Sequence, residues 1–162
     1  MSTNKEIDLE FVSLCKTHFD FLERDFGFRL TEIERTNRVL CLTYKNRTTG
    51  IQAIWERDGV LIRICRLWWG RIPSYLLWEF LSREMGVRIR AHYLDTLLHV
   101  KAPEDFERLR QLGYDMRQVV PFCARALAIH GRDILGGDFS VFKTMEKALK
   151  QRANETKGAV WC

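Results

Sequence analysis

Histidine, cysteine and acidic residues at helical spacing are where catalysis or metal binding would first show, and four such groupings occur in this chain. Cys15 and His18 are three apart and would share a helix face, offering two metal ligands. His92 and His99 are seven apart and would align if that segment were helical. His130 followed by Asp133 has the form of a base and its orienting carboxylate. "GGD" at 136–138 has the form of a glycine-rich turn that holds phosphate ahead of a helix. Each grouping also has a plainer structural account. Cys15 and His18 lie on an apolar stripe with no second ligand pair. Only Asp95 is acidic between His92 and His99, no activated nucleophile accompanies His130, and Asp138 would place a negative charge where a phosphate should sit. G-x-S-x-G, H-E-x-x-H, Walker and dinucleotide glycine patterns are absent from the sequence. The residues therefore predict no catalytic site, no metal site and no cofactor.

Recognition chemistry is concentrated instead in "RICRLWWGRIPSYLLW", residues 63–78, where arginines alternate with aromatics. Such a cluster has three readings. The indoles can fill a junction between sheet and helix with the arginines at its rim. They can form the anchor of a protein interface, because Trp, Tyr and Arg bury large areas at low entropy cost. They can stack on bases while the arginines hold phosphates. The selected partner-binding residues are Arg63, Arg66, Trp68, Trp69, Arg71 and Tyr75, with Trp68 or Trp69 as anchor. The alternative use of the same patch is as a nucleic-acid-binding accessory protein.

The elements that must position this cluster follow from composition and period. With 162 residues, 46% of them apolar, the chain can bury a core without metals or disulfides. Its five cysteines are odd in number and scattered, which predicts reduced, core-packed thiols. The polar N-terminus "MSTNKEIDLE" lacks the basic and apolar regions of an export signal, and no apolar run reaches bilayer length. A cytoplasmic location without membrane contact is expected. The net charge is −3 over residues 1–37, +6 over 38–101 and +2 over 102–162, so the basic character sits in the middle.

Residues 8–26 carry Phe11, Cys15, His18, Leu22 and Phe26 at spacings of three and four, predicting one helix capped by Asp8 and ended by Gly27. The period then falls to two. Residues 38–44, 50–56 and 60–67 predict an antiparallel meander, with "RDG" (57–59) as the tight turn and "KNRTTG" (45–50) as the longer one. A helix is expected over about 74–85, and "VRIRAHYL" (87–94) reads as a fourth strand leading into a helical turn. Beyond Ala102 one long stripe should split into two helices at Gly113 and Pro121. Gly136 and Gly137 end that region, Asp138 or Ser140 caps the next helix, and Phe142, Met145 and Leu149 form its buried side. The fold class is α+β: an N-terminal helix, a three- to four-stranded antiparallel meander, and C-terminal helices packed on or beside the sheet. Residues 1–155 form one domain, with 156–162 as a loosely ordered tail.

Two stretches together resemble a known group. "FLERDFGF" (21–28) with "VLCLTYKNRTTGIQAIWERDGVLIRI", and "ALAIHGRDILGGDFSVFKTME" (126–146), resemble the two ends of a widespread, uncharacterised family of small bacterial α+β proteins that look like immunity proteins. The shared motifs are turns, caps and core aromatics, so the resemblance implies kinship in fold and supplies no active site. It implies a non-catalytic protein partner, a toxin or effector inhibited by steric occlusion. The positive charge suits a toxin with an acidic or neutral site better than a nuclease with a basic groove.

Overall fold

The computed structural model describes residues 4–67, 70–72 and 91–158. The expected helix at 74–85 and the residues Trp68, Trp69 and Tyr75 lie outside them. Two short helices open the described chain, α1 (Asn4–His18) and α2 (Asp20–Phe26). The break at Phe19 divides what the spacing predicts as one helix. Asp8 lies inside α1 rather than at its start, and its carboxylate pairs with Arg35 at 2.9 Å. Gly27 adopts the left-handed conformation (φ 66°), which lets the Phe28 amide donate back to the Leu22 carbonyl at 3.0 Å.

Five strands follow, β1 (Arg29–Arg35), β2 (Val39–Lys45), β3 (Thr49–Glu56), β4 (Gly59–Arg66) and β5 (Ala91–Tyr93), paired antiparallel in chain order. The α+β class stands, with one strand more than the sequence predicts. The additional strand is β1, "RLTEIER", exposed along almost its whole length. Charges on both faces erase its period of two, and pairing to β2, with a register shift between Leu30 and Glu32, is what makes it a strand. Those charges also blunt the open edge against further pairing.

The helices α3 (Leu94–Lys101), α4 (Pro103–Gln111), α5 (Met116–His130), α6 (Arg132–Leu135) and α7 (Phe142–Gly158) complete the described chain. The long stripe splits at Gly113 (φ 68°), whereas Pro121 stays inside α5. A proline there removes a single bond, to the Arg117 carbonyl in the first turn, and the buried stripe of α5 outweighs that loss. One sheet face carries Leu42, Tyr44, Ile51, Ala53, Ile62 and Ile64 into the main core. Phe11 of α1 meets Trp55 at 5.9 Å, and Phe19 meets Tyr44 at 6.1 Å. Glu10 and Arg117 tie α1 to α5 by an ion pair.

The opposite face is covered as well. Cys41, Thr43, Gln52, Ile54, Arg63 and Cys65 are all buried. Near one end Ile72 and Leu67 approach Gly50 so closely that a Cβ there would collide with Ile72.

The end of α2, the 45–50 turn and the end of α6 converge on Asn46. Its side-chain amide donates to the Phe26 carbonyl (3.3 Å) and to the Leu135 carbonyl (3.2 Å). Its Oδ1 accepts from the amides of Thr48 (3.0 Å) and Thr49 (2.8 Å). Thr49 Oγ1 donates to the Ile134 carbonyl at 2.9 Å, and a Cβ on Gly137 (φ 97°) would press on Thr48. Gly137 therefore lets the chain after α6 dock on the β2–β3 turn. Asp138, expected as a candidate cap, instead accepts from the Ser140 amide (2.9 Å), two residues before α7 begins at Phe142.

Two predictions follow from this packing. Asn46→Ala should lower unfolding free energy by about 2 kcal/mol or more, because several backbone groups lose their partner at once; a urea titration measures it. His92 is 2% exposed, neither ring nitrogen has a hydrogen-bond partner among the described residues, and its ring stands edge-on to Phe142 at 4.7 Å. Burial holds its pKa below the usual histidine value, against a smaller opposing effect of Glu146. Stability from a neutral His92 is thus present above the unfolded pKa of about 6.5 and lost as pH falls below it. The drop in urea midpoint between neutral and mildly acidic pH should be smaller in His92→Phe than in the native chain.

Candidate partner-binding surface

Alternation along β4 separates the arginines selected from the sequence. Arg63 turns to the sheet face away from the main core and is 2% exposed. Its Nη1 donates to Gln52 Oε1 at 3.0 Å, and Gln52 Nε2 donates to Thr43 Oγ1 at 3.3 Å. These three residues occupy one cross-strand row. Arg63, expected at the rim of an exposed aromatic cluster, is therefore part of a buried polar row. Arg66, three residues on, projects the other way and places its guanidinium 5.3 Å from the centre of the Phe139 ring. Arg71 is exposed, following Gly70 in a left-handed conformation (φ 69°). Of the three arginines, Arg63 is buried, whereas Arg66 and Arg71 are exposed.

The histidine groupings dissolve in a comparable way. His130 Nε2 lies 2.8 Å from Asp105 Oδ2, while Asp133 Oδ2 accepts from Lys101 Nζ at 2.6 Å. Lys101 also donates to the His130 carbonyl (3.0 Å), so two crossed pairs clamp the ends of α3, α4, α5 and α6. His92 sits on β5 and His99 on α3, where it meets Phe106 edge-on at 5.1 Å, so the two do not align. No group of three metal-ligating side chains occurs among the described residues.

A groove of about 520 Å³ opens at the other end of β4. One wall is the β3–β4 turn, with Asp58 and Gly59, and another is the start of α3 with Asp95. Its floor is Phe106, Val119 and Cys123. Arg110 of α4 and Arg152 of α7 place their guanidiniums 5.8 and 5.4 Å from the Phe106 ring centre. At the lip Gly113 turns the chain so that Tyr114, 71% exposed, lies over Gly59; its Cδ1 is 3.1 Å from where a Cβ would stand. Asp95 is fixed by accepting from the Thr96 amide (2.6 Å). The arrangement offers apolar area, two guanidiniums and two carboxylates within one concavity.

Sequence reasoning missed this groove. Arg152 reads there as a helix-end cation, yet it lies mid-surface on Phe106, six residues before α7 ends at Gly158. The one legible signal is Tyr114, an aromatic placed immediately after a turn glycine and off the buried stripe.

Thiol chemistry is suppressed across the described cysteines. Burial pushes Cys41 and Cys65 up to about 11 and Cys123, on the groove floor, up to about 12; Cys15 is raised further still. The thiolate is the reactive form, so these groups are inert near neutral pH. Ellman's reagent should titrate at most one fast thiol, that of Cys162, in the native protein, and five after denaturation. Two or more fast native thiols would contradict this burial.

Compared with known families, curated proteins and solved structures, the chain matches none. No helix of the described residues is long and apolar enough to cross a membrane.

Proposed function

We propose that this is a non-catalytic protein-binding protein, of the immunity type suggested by its turn motifs, that inhibits a partner effector by steric occlusion. The observation that carries the reading is the Tyr114 groove. An exposed tyrosine and two arginines laid against an aromatic floor have the composition of an interface hot spot, where a few Trp, Tyr and Arg side chains supply most of the binding energy. Holding Arg110 and Arg152 against Phe106 also reduces the side-chain entropy lost on docking.

The signs inside the groove favour a protein over a nucleic acid. Asp58 and Asp95 oppose Arg110 and Arg152, so a phosphate backbone would meet as many carboxylates as guanidiniums. A protein surface can match mixed charges in register. The exposed Arg71, together with Trp69 outside the described residues, forms a second contact region on the same partner in this reading.

The test uses the product of the reading frame adjacent to this protein's own, measured by calorimetry. Tyr114→Ala with Arg110→Ala should weaken binding by about 2 kcal/mol or more, with the melting midpoint unchanged. Loss only in Trp69→Ala with Arg71→Ala would move the docking site to that segment. Full affinity in both double variants, or no complex with the native chain, would overturn the reading.

A further inference from the structure

A second concavity, of about 390 Å³ and sharing no residue with the Tyr114 groove, lies where α2 meets α5 and α6. Its floor comes from Pro121, Ala124 and Ala128, spaced three and four apart on one side of α5. Short side chains there leave a trough, and Phe21 and Phe26 of α2 wall it, standing edge-on to each other at 6.3 Å. The rim is cationic: Arg24, Arg125 and Arg132, with His18, against Asp25 alone. Arg24 is already held by Asp20 and Asp25. Arg125 and Arg132 are exposed and enter no ion pair among the described residues, although the charge of Arg132 reaches Asp25.

We infer that this trough binds an acidic peptide segment of the partner, in which carboxylates flank an aliphatic side chain. Guanidinium forks match carboxylates in geometry, and two of them without ion-pair partners beside an apolar floor select a ligand that is negative and apolar at once. A nucleic acid would satisfy the arginines but suits the floor less well. The floor consists of small aliphatic groups, and in the wall the Phe21 ring is only 8% exposed, which offers little face for a stacked base. The inference rests on the protein-binding reading and adds the chemistry of one partner segment.

A nuclear magnetic resonance titration of the full chain tests it with three probes: a peptide alternating glutamate and leucine, its lysine–leucine counterpart, and an oligothymidylate of equal negative charge. The glutamate peptide should shift the Ala124 and Ala128 signals, and the lysine peptide should not. Arg125→Gln with Arg132→Gln should weaken the interaction by about tenfold or more, roughly 1.4 kcal/mol. Ala128→Leu, which fills the trough without changing charge, should do the same, and Tyr114→Ala should leave it unaltered. Thermal melts check that each variant folds, and the arginine pair keeps the test decisive if Ala128→Leu does not. Absence of shifts, equal binding of the lysine peptide, preference for the oligothymidylate, or binding that survives the arginine pair would each overturn the inference. Peptide failure alongside partner loss in the Tyr114 variant would sink this site and leave the first reading standing.

Discussion

The carboxamide of Asn46 joins parts of the chain that lie far apart in sequence. Its two donors reach carbonyls at the ends of α2 and α6, while its acceptor closes the β2–β3 turn on itself. Helix ends leave carbonyls without intrahelical partners, and burying them unpaired would cost free energy at each. One side chain answers that need at two helix ends simultaneously. It also fixes where both helices stop relative to the sheet. The left-handed glycines at 27 and 137 serve the same junction, since each lets a helix end turn back toward it without steric cost.

From that junction the sheet acquires two unlike faces. One is apolar and takes the helices. The other carries the row Thr43, Gln52 and Arg63, buried yet hydrogen-bonded from strand to strand. Burying a guanidinium is costly, and the cross-strand row offsets part of that cost through the bond from Arg63 Nη1 to Gln52 Oε1 at the fixed spacing of neighbouring strands. The same coverage that hides Arg63 silences the thiols of Cys41 and Cys65 on that face. Burial therefore withdraws reactive groups and leaves the surface chemistry to residues at helix ends and turns.

Both concavities arise in that way. The Tyr114 groove forms where the β3–β4 turn meets the starts and ends of helices, and the arginine-rimmed trough forms where α5 presents only small residues to α2. In each, long cationic side chains surround an apolar base. Rigid elements hold the bases, so a ligand meets surfaces that need little further ordering. The charges differ: balanced in the first, positive in the second. The two concavities therefore differ in the chemistry they present to solvent.

Local physics alone set much of this in the sequence. The period of two marked β2, β3 and β4, and Asp58-Gly59 marked their tight turn. Gly27 marked a helix end, and Phe142 and Met145 marked the buried side of α7. Each depends on residues within one or two turns of each other. Strand alternation sets Arg63 opposite Arg66 along β4, and because neither side of that strand is cleanly polar the sequence also implies cover on both faces, as the burial shows. What only tertiary structure decided depends on distant partners. The charged β1 became a strand by pairing with β2, His130 found Asp105 rather than Asp133, and Arg110, Tyr114 and Arg152 met around Phe106. No periodicity encodes such meetings. They are set by how helices dock on a sheet, a property of summed surfaces rather than of any window of sequence.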